Sequence, residues 1–148
     1  MPTRVSHFGI VSTDPDRLAE FYITVFGCER SGPPRNLHGA AIQRGMGLPG
    51  AHVEGVQLTL PAQGEDGATL EIFKLPTIEP SERGVNRAGF MHLAFKVDDV
   101  HETFQQVIDA GGQVLGQITP VPVVGVGEVK FVYTRDPDGN VVELQEWQ

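Results

Sequence analysis

Apolar and polar residues alternate from Arg4 to Ser12, with Phe8 and Ile10 on one face and His7, Gly9 and Val11 on the other. This period of two predicts a strand over residues 4–12. The period then lengthens. Leu18, Phe21, Tyr22, Val25 and Phe26 recur at helical spacing behind Asp14, a side chain suited to the N-cap, and Pro15, suited to the first helical position. Gly27 supplies the stop. Residues 28–52 are less regular: Pro33-Pro34 breaks them, a weak strand is expected around 39–44, and Gly45, Gly47 and Gly50 suggest a mobile loop. Alternation from Val56 to Leu60 predicts a strand, Gly64-Glu65-Asp66-Gly67 a turn, and Ala68 to Leu75 a strand pairing back.

Residues 76–88 are polar and broken by Pro and Gly, the composition of a linker, and after them the opening pattern returns. Phe90 to Val97 reads as a strand. Asp98-Asp99 caps a helix bearing Val100, Phe104, Val107 and Ile108, and Gly111-Gly112 ends it. Strands are expected near 113–118, 129–135 and 140–146, the last two joined by the turn Asp136-Pro137-Asp138-Gly139-Asn140. A shift of 85 residues lays His7 on His92, Asp14 on Asp99 and Gly27 on Gly112. The chain is therefore read as a single domain over 1–148 made of two βαβββ modules, 4–75 and 89–147, with the linker 76–88 between them. Neither module is large enough to be comfortably stable alone.

Composition narrows the function. Hydrophobic residues make up 40% of the 148 and charged residues 20%, enough apolar material for a core and too much for a disordered chain. The net charge of −8, with no cluster of Lys or Arg, disfavours nucleic acid as a partner. One cysteine, Cys28, excludes an intrachain disulfide and any multi-cysteine metal site, and its place just past a helix end suits a small core residue better than a nucleophile. The chain has no signal-like leader and no apolar run of about 18 residues, so the expectation is a cytoplasmic protein with no membrane association.

Four polar residues interrupt apolar strands: His7, Glu71, His92 and Glu143. Strand parity sets Glu71 opposite Leu70 and Ile72, His92 opposite Met91, Leu93 and Phe95, and Glu143, with Val141 and Gln145, opposite Val142 and Leu144. If the apolar sets lie under the helices, all four polar side chains occupy the other face. Taken singly, each has an ordinary reading, a hydrogen-bonded strand histidine or a glutamate on a solvated face. Together they place one His in the first strand and one Glu in the last strand of each module. Two neutral imidazoles and two carboxylates make a neutral cage for a divalent cation. His38, His52 and His101 are expected to be exposed.

The segments His-Phe-Gly-Ile-Val with Asp-Arg-Leu-Ala-Glu-Phe-Tyr, Leu-Glu-Ile-Phe, Gly-Phe-Met-His-Leu-Ala-Phe-Lys-Val-Asp-Asp-Val and Asp-Pro-Asp-Gly-Asn-Val-Val-Glu-Leu resemble the vicinal-oxygen-chelate superfamily along nearly the whole chain. That superfamily includes glyoxalase I, methylmalonyl-CoA epimerase, extradiol dioxygenases, fosfomycin-resistance enzymes and bleomycin-binding proteins. The resemblance implies an α+β fold in which two βαβββ modules form an open, cupped mixed sheet around one divalent metal ion (Zn, Ni, Co, Mn or Fe), with His7, Glu71, His92 and Glu143 as ligands. It also implies a homodimer and a small-molecule substrate. This ligand set is similar to that of glyoxalase I, which implies a lyase or isomerase moving a proton next to a metal-chelated carbonyl through an enediolate. Glu143 or Glu71 would be the base, with Glu143 favoured. The alternatives are an acyl-CoA epimerase, whose relatives often carry Gln at the position of Glu71, a ring-cleaving extradiol dioxygenase with fewer protein ligands, and a non-catalytic drug- or metabolite-binding protein. Glutathione-binding members carry one Arg shortly after the first ligand and another just before the second histidine. Here Gly9, Ile10 and Val11 follow His7, and Arg87 lies one place further from His92 than that pattern. Arg87 and Lys74 are the candidate substrate-binding residues; Lys74 and Arg83 read equally as surface charges. The Gly-rich stretch 45–50 and the Pro/Gly segment 120–127 are expected to be loops that gate a cleft.

Overall fold

The computed structural model describes residues 2–64 and 66–148. Glu65, in the turn expected at 64–67, lies outside the described residues. The chain divides into two compact units, Met1–Pro80 and Ser81–Gln148, and residues 75–92 carry no helix or strand.

In the first unit, β1 (His7–Val11) leads into α1 (Pro15–Phe26). Asp14 caps α1 by accepting from the Arg17 N–H at 3.2 Å, Pro15 opens it, and Gly27 closes it at φ 74°, a left-handed conformation that costs glycine little. Two short strands, β2 (Glu29–Arg30) and β3 (Arg35–His38), precede α2 (Ala40–Met46), and β4 (His52–Thr59) and β5 (Thr69–Lys74) complete the unit. The sheet order is β1-β5-β4-β2, with β3 also on β4. The first and last strands are parallel, and the others pair antiparallel. Leu18, Phe21, Tyr22 and Val25 of α1 are buried, as are Val56 and Leu58 of β4 and Leu70 and Ile72 of β5. The helix packs over those two strands.

The second unit repeats the plan: β6 (Leu93–Lys96), α3 (Val100–Asp109), β7 (Gln113–Val114), β8 (Thr119–Val123), β9 (Gly127–Arg135) and β10 (Val141–Trp147). Its order is β6-β10-β9-β7, with β8 also on β9, and β6 is parallel to β10. Asp99 accepts from the Glu102 N–H, while Glu146 on β10 accepts from the Val100 N–H, both at 2.9 Å, so two carboxylates hold the start of α3. Val100 and Val107 are buried with Val132, Val142 and Leu144. The α+β class and the two βαβββ modules are as expected.

Four segments differ, the simplest being the strand expected near 113–118, which forms only at Gln113–Val114. Of residues 39–44, expected as a weak strand, Gly39 is the N-cap of α2 and 40–44 belong to the helix, and Gly45 lies within it rather than in a mobile loop, with Gly47 at its C-cap. Ala40, Ala41, Gln43, Arg44 and Met46 are good helix formers, and α2 buries none of its residues, so its propensity rather than an apolar stripe accounts for it. The strand that does occur lies earlier, at β3. The Pro/Gly segment 120–127 is not a loop along its length: Thr119–Val123 pairs antiparallel with β9. Pro120 and Pro122 share one parity, which turns both missing N–H groups to the outer edge and leaves Thr119, Val121 and Val123 to face β9. Strand β6 starts at Leu93, which leaves His92 just before it and Phe90 fully exposed.

Candidate functional site

Each unit brings one histidine and one glutamate together on the sheet face away from its helix. In the first, the parallel register sets Gly9 beside Glu71, and His7, two residues before Gly9, shares that face. His7 Nε2 lies 3.1 Å from Glu71 Oε2, and Ser6 Oγ lies 3.0 Å from His7 Nδ1. In the second unit Ala94 is beside Glu143, and His92 is again two residues earlier. His92 Nε2 lies 3.4 Å from Glu143 Oε1. The same diagonal step along a parallel pair produces both contacts. The glutamates are closer together in the chain than the histidines because α2 and a longer β4–β5 connection lengthen only the first module.

The two pairs differ in setting. The His7 and Glu71 side chains are 43% and 18% exposed, those of His92 and Glu143 22% and 9%. Around Glu71, the in-register Gln57 donates to Thr69 Oγ1 at 2.8 Å and accepts from Arg35, while Glu71 itself contacts His7. Around Glu143 the polar groups converge on the carboxylate. Gln145 Nε2 donates to Glu143 Oε2, and Trp147 Nε1 donates to Gln145 Oε1 at 2.9 Å. Tyr133 stands opposite Glu143 in register, its ring 4.9 Å from that of His92 and its hydroxyl 3.8 Å from the Met91 sulfur. Burial, and then the Glu143 carboxylate beside it, raise the Tyr133 phenol above its ordinary range. Phe131 makes an edge contact with Tyr133, and Lys96 lies 6.0 Å from the centre of the Trp147 ring.

These donors suit a divalent cation of intermediate softness, imidazole nitrogen with carboxylate oxygen and no thiolate. Two ligand atoms each about 2.1 Å from a cation lie about 3.0 Å apart at a right angle and about 3.4 Å apart at a tetrahedral one. Both His–Glu separations therefore fit neighbouring ligands. Among the described residues no three His, Cys, Asp or Glu side chains form a group that could hold a metal ion, so the structure displays two two-donor sets, one in each unit.

The other candidates fall elsewhere. Lys74 is exposed and shares the parity of Leu70 and Ile72, opposite Glu54, so it occupies the face of β5 away from Glu71. Arg87 is exposed and pairs with Glu82. Arg83 is tied to the β9–β10 turn through Asn140 at 2.9 Å. His38 and His101 are exposed, whereas His52 is half-buried, its ring 4.8 Å from that of His38 and tilted to it by 53°, and within 2.6 Å of Asn36 Oδ1. Cys28 is buried, and burial pushes its thiol up to about 11, in line with a core residue. Sequence reasoning did not identify Tyr133 or Trp147. The parity of β10 and folding of the hairpin about Asp138, which sets Tyr133 opposite Glu143, were the signals for them.

Two mixed sheets, each a βαβββ module with one parallel closing pair, define a duplicated fold. The family model described as the Glyoxalase/Bleomycin resistance protein/Dioxygenase superfamily matches residues 4–144, and the chain belongs to that family. Over 78 residues it is 36% identical to a probable lactoylglutathione lyase from Vibrio cholerae, covering 53% of this chain and 52% of that protein. Its matches to such curated relatives span between 38% and 52% of their lengths. A glyoxalase family protein from Bacillus cereus superposes with a TM-score of 0.83 at 20% identity, covering 99% of this chain and 95% of the other. A glyoxalase I variant from Zea mays superposes at 0.64 with 21% identity, covering 95% and 45%. At these identities the two structures show the fold alone. Among the described residues no helix is long and apolar enough to cross a membrane.

Proposed function

We propose that this protein is a metal-dependent lyase or isomerase of the glyoxalase type, in which His7, Glu71, His92 and Glu143 hold one divalent cation. The observation that carries the reading is the repeated register: in both modules the histidine sits two residues before the strand partner of the glutamate. Two surface ion pairs arising independently have no reason to fall on the same two strands of both modules. The relatives named as probable lactoylglutathione lyases support the reaction class. A bound cation would supply Lewis acidity, polarising a substrate carbonyl so that the neighbouring C–H becomes acidic.

The side chains supply the rest. A carboxylate, Glu71 or Glu143, takes the proton from one carbon and returns it to the next. Gln145 gives Glu143 a fixed donor, and the rings of Phe131, Tyr133 and Trp147 offer an apolar wall on the same sheet face. A cytoplasmic homodimer acting on a small molecule completes the proposal. Elemental analysis of untagged protein tests it, beside His92→Ala and Glu143→Gln. About one metal per chain, lowered in both variants, is expected, followed by turnover of hemithioacetals or acyl thioesters. Absence of metal after refilling with Ni, Co, Zn and Mn would refute it and leave a binding protein.

A further inference from the structure

Glu143, Gln145 and Trp147 alternate along one face of β10, and their hydrogen bonds run in one direction. An indole N–H can only donate. With Trp147 Nε1 on Gln145 Oε1 at 2.9 Å, the amide of Gln145 has its orientation fixed, and its NH2 end faces Glu143. An ionised carboxylate can only accept. The two ends of the chain thus impose the same polarity on the amide between them. Glu143 Oε2 is occupied by Gln145, and Oε1 is left toward His92 Nε2 at 3.4 Å. The first module lacks this arrangement: the residue two places after Glu71 is Phe73, and Gln57 is turned to Thr69 and Arg35.

We propose that Trp147 and Gln145 are positioning residues, a donor relay that fixes the rotation of the Glu143 carboxylate so that Oε1 alone is presented beside His92. The relay rests on the metal-site reading for its purpose, but its existence can be tested without metal. Ligands to a metal depend on such outer hydrogen bonds for orientation, and losing one typically weakens metal binding about 10–100-fold.

Trp147 is the only tryptophan of the chain, so the protein gives one indole N–H resonance. In metal-free protein, Gln145→Leu is expected to move that resonance upfield and to speed its exchange with solvent about tenfold or more. An indole signal unchanged in Gln145→Leu, with the fold intact by circular dichroism, overturns the relay. Zn(II) affinity is then measured by competition with a chromophoric chelator. Trp147→Phe keeps an aromatic side chain but removes the Nε1 donor, and a dissociation constant raised about tenfold is expected. Adding Trp147→Phe to Gln145→Leu should cost nothing more, because both act through one carboxylate. Binding within twofold of wild type in Trp147→Phe, while Glu143→Gln loses it, overturns the relay and leaves the metal site standing. Unchanged binding in Glu143→Gln removes the metal reading, and the indole resonance alone then decides the relay.

Discussion

The turn that sets Glu143 against Tyr133 hangs on Asp136, a fully buried carboxylate in a protein whose other acidic groups are mostly at the surface. Its Oδ1 accepts from the backbone N–H of Asp138 at 3.0 Å and of Asn140 at 2.9 Å, and its Oδ2 accepts from Asn140 Nδ2 at 2.9 Å. Backbone bonds close the same loop, Gly139 N–H to Asp136 O and Asp136 N–H to Asn140 O, both 2.9 Å, with Gly139 at φ 91°. Asp136→Ala removes at least these three bonds to the carboxylate. Each is worth about 1.5–3 kcal/mol where the donor is left dry, and less where water reaches it. The three donors are only partly buried, so about 1 kcal/mol each is the better figure, for a loss of about 3 kcal/mol. For a chain of this size that corresponds to about 6–12 °C in Tm. Asp136→Asn keeps both backbone bonds on its oxygen but turns an NH2 toward the NH2 of Asn140, so about half the loss is expected. Urea unfolding followed by circular dichroism reads both variants. A cost below about 1 kcal/mol for Asp136→Ala would show that the backbone bonds alone hold the turn, and no cost for Asp136→Asn would show that the bond from Asn140 Nδ2 adds nothing.

Three further outcomes follow from the same structure. The Glu102 N–H lowers the Asp99 carboxyl below its ordinary 3.8, and the Val100 N–H lowers Glu146 below 4.5. Both groups therefore stabilise the fold above those values and cease to do so as pH falls through their lower folded-state values. The urea midpoint of wild type should drop below about pH 4.5, and less steeply in Asp99→Asn and Glu146→Gln; identical acid limbs would refute the capping role. Cys28, raised from 9.0 to about 11, stabilises the fold fully below pH 9 and loses that contribution as pH rises from 9 to 11. Its thiol should resist a disulfide reagent at pH 8 until the chain unfolds, and rapid labelling in native protein would contradict its burial. Finally, Glu143→Gln should lose more metal on prolonged dialysis than Glu71→Gln, because Glu143 is the more buried carboxylate and the one with a fixed donor. Equal losses by elemental analysis would remove the distinction.

Where one local signal decided an element, the sequence was legible. Asp14 with Pro15 and Asp99 each start a helix whose apolar stripe then runs at helical spacing, and Asp-Pro-Asp-Gly-Asn forces the hairpin before Glu143. The missed elements are those whose local signals conflict. Glycines flank and interrupt α2, and helix-favouring Ala, Gln, Arg and Met lie among them, so composition argued for a loop and propensity for a helix. Prolines in β8 argued against a strand, and only its position at the sheet edge makes them harmless. The candidate site divides in the same way. The four polar interruptions were visible from strand parity, whereas Tyr133 required the cross-strand register and Trp147 required knowing that β10 continues to residue 147.

The two modules repeat the contact but not its support. A parallel pair of first and last strands is what lets a histidine reach a glutamate diagonally, since side chains at register positions share a face and the next position along the face is two residues away. That geometry is a property of the βαβββ plan and appears twice. The residues that decide how firmly each carboxylate is held lie one strand over or two residues on, and there the modules diverge: Gln57 and Phe73 beside Glu71, Tyr133 and Gln145 beside Glu143. Duplication therefore places one histidine beside one glutamate in each module, while the surrounding residues hold Glu143 with a side-chain donor and leave Glu71 the freer of the two. Under the proposed function, a group that must both contact a cation and exchange a proton needs freedom to rotate, which favours Glu71 as the base over Glu143, the residue favoured from the sequence. Glu71→Gln should accordingly abolish turnover while retaining most of the metal, whereas Glu143→Gln should lose both together. Turnover that survives Glu71→Gln would return the base to Glu143 and separate anchoring from proton transfer.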